Sequence, residues 1–302
     1  MKIWEPEPGE TLLTRAYVRF AAGADTTVHG MRWFRDSERR DITGELTDWP
    51  EGPVYTAHSE NSAQARNTGK GFLAVAGALI LGALSLNTES LLSVESGASR
   101  TSDDPENEIN DFPVLWAAPG AVARTLPWQL DSDRVDHERY RTHLAVTDRR
   151  LLFLGTPYSG KAARQIEDHV LWEVARDLVQ RVELPDYRHL RDFRIVFTDG
   201  SWCRLRATPR AHTVRFLSYP YELIELDQLP PGVLTTLEGQ AEANRQGPHE
   251  SLFVARRPCG HFLAVFPVKD GLTATWGLRT RSVCLAHDGT VVSPQDYHPG
   301  DL

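Results

Sequence analysis

Two short motifs late in the sequence hold the donor types of a metal centre: Cys259-x-His261 and Cys284-x-x-His287. Residues two apart on a strand share a face, and two thiolates with two imidazoles satisfy tetrahedral zinc. The Cys-x-His spacing is not a familiar zinc signature, however, and 22 residues separate His261 from Cys284. The reading is therefore ordinary strand cysteines and surface histidines, with no cofactor; zinc is the alternative. No nucleophile set stands out. G-x-S-x-G and H-E-x-x-H are missing, and Thr68-Gly69-Lys70-Gly71 lacks the spacing and the following hydroxyl of a phosphate loop. The chain is expected not to be an enzyme, with an unrecognised enzyme kept as an alternative.

The arginines invite a different chemistry. Arg149, Arg150, Arg191, Arg194, Arg204 and Arg206 fall on or beside strand-like runs. Guanidinium groups grip phosphate and carboxylate in bidentate fashion, so a face that gathered them would hold an anionic ligand or a membrane surface. The competing reading leaves them on solvated strand faces, paired with Asp148, Asp192 and Asp199. Aromatic Tyr187, Phe193 and Trp202 interleave with Arg188, Arg191, Arg194 and Arg204, a pattern that can bind single strands. The net charge of −8 argues against a nucleic-acid partner.

A third feature is apolar. Residues 71–86, GFLAVAGALILGALSL, carry no charge. As a helix they span about 24 Å, short of a ~30 Å hydrocarbon core. Ala74, Ala78 and Gly82 recur every four residues, a spacing that lets helices approach closely. With Phe72, Leu73, Val75, Leu79, Ile80 and Leu84 they form a candidate interaction segment. A buried helix or helical hairpin is the first reading; a membrane span and an interfacial segment are the alternatives.

The elements that would position these residues follow from composition and periodicity. A chain of 302 residues with 41% apolar and 25% charged side chains is neither disordered nor a polytopic membrane protein. Residues 131–220 carry 16 Lys and Arg against 13 acids, a mildly basic middle in an acidic chain. Three cysteines build no disulfide framework, and the first residues show no signal pattern, which places the protein in the cytoplasm, with membrane association as a variant. Residues 12–20 alternate with period two and predict a strand. Residues 22–130 read as an insertion holding the apolar segment and an acidic linker at 99–111. Residues 143–147 and 151–154 read as strand, turn, strand. Residues 191–198 and 201–207 flank Asp199-Gly200, the signal of a two-residue hairpin turn. Thr208-Pro209 starts a helix to about residue 218, and a second helix fits 231–245. Beyond 247, runs at 252–255, 262–268, 272–278 and 282–286 read as a small antiparallel sheet.

The run from His143 to Leu154 (HLAVTDRRLLFL), followed by Trp172-Glu173-Val174, Val182-Glu183-Leu184 and the hairpin around Asp199-Gly200, resembles bacterial pleckstrin-homology-like and GRAM-type domains. The resemblance covers about 142–218 and implies a bent antiparallel barrel closed by a C-terminal helix. It also implies a non-catalytic module that docks on lipid headgroups or on other proteins. The expected architecture is mainly β (α+β). Residues 1–21 give the first barrel strand, 22–130 the insertion, 131–226 the core, 227–246 a connecting helix and 247–302 the small β subdomain. The expected function is docking on a membrane surface or partner protein through the arginine-bearing strands and the apolar insertion. The alternative is an assembly protein whose apolar helix packs in a homo- or hetero-oligomer.

Overall fold

The computed structural model describes residues 3–22, 32–53, 113–135, 139–157, 167–185, 187, 191–208, 210–218, 222–243, 253–257, 259–268 and 279–296. The apolar segment 71–86, the acidic linker 99–111 and the run 272–278 lie outside them. The described chain is mainly β, with a large mixed sheet, a small antiparallel sheet and two α-helices.

The large sheet is built around β9 (Trp202–Thr208). One edge of β9 pairs with β8 (Asp192–Phe197), over Asp192↔Arg206 to Val196↔Trp202. Its other edge is shared. β1 (Leu12–Phe20) takes the second half, Tyr17↔Thr208 to Phe20↔Leu205, and β3 (Pro113–Trp116) takes the first, Leu115↔Cys203 and Trp116↔Trp202. β1 continues the sheet to β4 (Tyr140–Thr147), β5 (Arg150–Pro157) and β6 (His169–Ala175), all antiparallel. β7 (Val179–Glu183) pairs with β8. β2 (Trp33–Arg35) lies parallel to β3, so two pieces of the expected insertion stand in the sheet.

The expected closed barrel is not found among the described residues. β6 pairs only with β5 and β7 only with β8, and the 3-10 turn Arg176–Leu178 joins them across an open seam. Closure requires every strand edge to be paired. Here the sheet bends but stops short. The turn at Asp199-Gly200 also differs from expectation. Phe197 N–H donates to Ser201 O at 2.8 Å and Gly200 N–H to Phe197 O at 3.0 Å, with Gly200 at φ +82°, which makes a three-residue loop ending in a left-handed glycine. The Asp199 carboxylate accepts from Ser201 on one oxygen and from Val122 N–H, at 2.6 Å, on the other. That bond ties the 3-10 turn Val122–Thr125 to the hairpin.

Alternation puts Val18 and Phe20 of β1, Leu144 and Val146 of β4, Phe193, Ile195 and Phe197 of β8, and Cys203, Leu205 and Ala207 of β9 on one inward face. Helix α1 (Arg210–Ser218) covers it with Val214, Phe216 and Leu217. The small sheet runs β10 (Glu222–Ile224), β11 (Phe253–Arg256), β12 (Phe262–Val268) and β13 (Arg279–Leu285). β10 comes from ahead of the second helix, so this sheet is not built from the tail alone. One of its faces, with Phe253, Leu263 and Val265, joins the main core; Phe216 and Phe253 meet edge to face at 5.9 Å. The other face, with Val254, Phe262, Ala264, Phe266 and Leu285, packs on Val233 and Leu237 of α2 (Pro231–Ala243).

The docking of α2 rests on two glycines. A Cβ at Gly232 would collide with Asp288 O, and one at Gly289, at φ +89°, with Gly232 O. Thr236 Oγ1 donates to Gly289 O at 2.9 Å in the same contact. Gly289→Ala is expected to cost about 2 kcal/mol or more, because strain and clash add. Urea denaturation with the wild type alongside checks it; a change within about 0.5 kcal/mol would contradict the close approach.

Candidate functional site

The six expected arginines do not form one free basic face. Arg150 donates to both oxygens of buried Glu10, Nε to Oε1 at 2.9 Å and Nη2 to Oε2 at 2.8 Å, and also reaches Glu7 and Glu173 at 2.9 Å. Arg149, beside it in the hairpin, is exposed; it donates to Gly9 O and lies 3.9 Å from Asp148. Arg204 is buried. Its Nη2 donates to Asp192 at 3.0 Å and its guanidinium lies 3.6 Å from the Tyr187 ring centroid. Arg206 Nε donates to the other Asp192 oxygen at 2.7 Å. Arg194 donates to Glu183 at 3.2 Å and stacks 4.1 Å over Trp202, which itself stacks on Trp116. Arg191 is exposed just ahead of β8. Thus Arg149 and Arg150 belong with the N-terminal carboxylates, while Arg194, Arg204 and Arg206 belong with Glu183 and Asp192. Four of the six are hydrogen-bonded to carboxylates: of the acids expected as partners Asp192 takes Arg204 and Arg206, while Glu10 and Glu183 take Arg150 and Arg194.

The zinc quartet is not assembled either. Among the described residues no group of three or more His, Cys, Asp or Glu side chains converges as a metal site. Cys284 is buried opposite Leu263 on the face toward the main core, whereas the ring of exposed His287 lies 6.2 Å from that of Phe262 on the α2 side. Cys259 is exposed in the turn before His261. Among the described residues no helix is long and apolar enough to cross a membrane.

Sequence reasoning missed a polar cluster on the outward face of β1, β4 and β5. Arg15 grips Asp168 with two bonds, Nη1 to Oδ2 at 2.6 Å and Nη2 to Oδ1 at 2.8 Å. Arg15 Nη2 also donates to His143 Nδ1 at 3.0 Å and to Thr156 Oγ1 at 3.2 Å, and Thr156 Oγ1 donates to Asp168 Oδ1 at 2.7 Å. Arginine can only donate, so Nδ1 carries the lone pair and the ring proton is assigned to Nε2. Desolvation raises the Asp168 pKa, but its bonds from Arg15, Trp4 N–H and Thr156 outweigh this and leave it below the usual carboxylate value. The only signal in the sequence was the period-two alternation of residues 12–20, which puts Arg15 on the face opposite Thr14, Ala16 and Val18. Its partner lies 153 residues away.

These bonds hold the N-terminal strap against the sheet. Trp4 N–H donates to Asp168 at 2.8 Å, and Thr11 N–H donates to the Asp148 side chain at 2.7 Å. Trp4 and Leu12 pack over Ala145, Leu152 and Leu154. A strap bonded at both ends covers a sheet face that would otherwise expose apolar side chains.

A second place is open. At the seam between β6 and β7 lies a cleft of about 640 Å³. Leu13, Leu151, Val179, Leu217 and Leu223 supply its apolar part; Arg149, Arg176 and Arg181, with Asp148 and Asp177, supply its charged part. Arg176 is held by donating to Thr147 O at 2.9 Å and to Phe216 O. Among the described residues one ladder edge of β7 has no strand partner, and Leu223 comes from β10, the edge strand of the small sheet. No family model matches the chain, and neither a curated protein nor a solved structure does.

Two outcomes follow from the polar network. Desolvation raises the Glu10 pKa, and hydrogen bonds from Arg150, Thr147 and Glu7 N–H more than reverse this, bringing it down to about 2 from 4.5. A depressed folded pKa means the stabilisation is present above the unfolded pKa and is lost as pH falls through the folded one. The melting temperature should therefore fall between pH 4.5 and 2, and Glu10→Gln should flatten that fall while lowering the neutral-pH value. Calorimetry across that window reads both. For Arg15 and Asp168, removing one partner strands a buried charge, so Arg15→Met alone should cost about 3–5 kcal/mol. Arg15→Met with Asp168→Leu should cost less than that single change; a double variant no more stable than Arg15→Met would contradict the pairing.

Proposed function

We propose that this chain is a non-catalytic binding module of pleckstrin-homology-like architecture. In this reading it docks an extended segment of a partner protein in the cleft between β7 and α1. The open seam carries the reading: among the described residues an unpaired strand edge runs beside a cleft of about 640 Å³ with both apolar and charged lining. An exposed edge is a template for another strand, and such addition takes affinity from main-chain bonds and specificity from side-chain pockets. The bent antiparallel sheet with a helix packed on β1, β7, β8 and β9 supports the pleckstrin-homology-like assignment.

The occupant is an extended peptide that alternates apolar and acidic residues. Alternate side chains of a strand point to opposite sides, so one set meets Leu151, Val179 and Leu217 while the other meets the rim. The rim has three arginines against two aspartates. The arginines expected to contact a membrane are largely committed to carboxylates, which favours the protein partner over a lipid surface.

Selection from a random peptide library displayed on phage tests this. Peptides that bind the wild type should share the alternating pattern and lose about tenfold or more in affinity for Val179→Glu. Val179 is only half-buried, so the variant should keep its melting temperature within a few degrees. A library that returns no such peptides, or peptides that bind a folded Val179→Glu equally well, would overturn the cleft as the docking site.

A further inference from the structure

We propose that Arg19 and Arg206 form a binding site for a phosphate dianion, such as a phosphomonoester, on the outward face of the large sheet. No residue of this cluster lines the cleft, so the inference stands apart from the docking proposal.

Arg19 of β1 and Arg206 of β9 are direct partners in the ladder, so their side chains leave the same face of the sheet next to each other. Like charges in that position repel, and a sheet normally avoids them. Among the described residues no carboxylate bridges the pair. Arg206 uses Nε on Asp192, while its Nη2 is buried without a hydrogen-bond partner. Arg19 makes no ion pair and no side-chain hydrogen bond among the described residues, although it is half-buried. Burial, with Arg206 and Arg32 nearby, outweighs the opposing effect of Tyr17 and Asp133 and holds its pKa below the ordinary arginine value.

The charge count points to a dianion. Asp192 is fully buried and its single negative charge is divided between Arg204 and Arg206. Arg32 is served by Asp131 and Asp133. Arg19 and Arg206 thus bring two positive charges against a share in the one negative charge of Asp192. Two guanidinium forks side by side match the oxygens of a phosphate, each able to give two parallel bonds. Asp192 fixes Arg206 in place, and Arg19, held by no such bond among the described residues, is the arm that can close on the ligand.

Inorganic phosphate is the first probe, titrated against the wild type, Arg19→Gln and Arg19→Lys, with chloride holding ionic strength constant. In chloride alone Arg19→Gln should melt at or above the wild type, because a like charge is gone. In phosphate the order should reverse: the wild type gains melting temperature and Arg19→Gln binds at least about tenfold more weakly. Arg19→Lys, which keeps the charge and loses the fork, should fall between them. A merely structural arginine would not produce the crossing. A wild type that responds to phosphate no more than to chloride, or an Arg19→Gln protein that responds equally, overturns the site. Broadening of the phosphate line in phosphorus NMR, on addition of the wild type, reads the same binding without any variant. Two further arms identify the source of the phosphate. Co-sedimentation with phosphatidylcholine vesicles containing phosphatidic acid, and not with phosphatidylcholine alone, assigns a lipid headgroup. Binding of glycerol phosphate without sedimentation assigns a free phosphomonoester.

Discussion

Strand β9 is the member on which the distant parts of this chain meet. Its neighbour β8 is local, reached through a tight turn. Its other edge is divided between β1, near the start of the chain, and β3, far along the sequence from it. Backbone donors and acceptors buried in a sheet must be paired, so an edge left half empty by one strand has to be filled by another. β1 runs out at Phe20, and β3 takes up the remaining ladder at Trp202 and Cys203. Loss of β3 would leave those groups exposed beside a core that includes Val114 and Leu115.

The same sheet treats charge differently on its two sides. The inner side is apolar and closed by α1. The outer side is rich in arginine, and most of those guanidiniums are neutralised by a carboxylate drawn from another element: Asp168 for Arg15, Glu10 for Arg150, Glu183 for Arg194, Asp192 for Arg204 and Arg206. A buried charge without a partner is strongly destabilising, whereas a hydrogen-bonded pair is close to neutral. These pairs therefore specify which segments lie together more than they add net stability. The N-terminal strap is the clearest case, since its route over β4 and β5 is set by Trp4, Glu10 and Thr11 meeting Asp168, Arg150 and Asp148. Arg19 is the exception to the rule, and the proposed phosphate site follows from that exception.

The open seam and the arginine pair are separate features of the same sheet. Where β6 and β7 do not pair, a cleft of mixed lining lies beside a strand edge that has no strand partner among the described residues. Where β1 and β9 pair with arginine opposite arginine, no carboxylate bridges the two among the described residues. Binding in a fold of this kind is favoured at the places where hydrogen-bonding groups and charges are not answered from within the chain.

Much of the local structure was legible in the sequence. Period-two alternation marked β1, β8 and β9, and Thr208-Pro209 and Pro231 marked the starts of α1 and α2, because those signals act within a few residues. The mainly β character followed from their density. What the sequence left undecided were long-range choices among equals. Any of several acids could have answered Arg15, and nothing local distinguishes Asp168 from the rest; Asp192 stood among the expected partners, but which arginines it holds was open. Nothing local shows that β3 fills the edge of β9, that β10 joins β11, or that the bent sheet remains open between β6 and β7. Pairing partners are selected by the simultaneous burial of many side chains, so only the tertiary structure decided which arginines are buried struts and which carboxylates hold them.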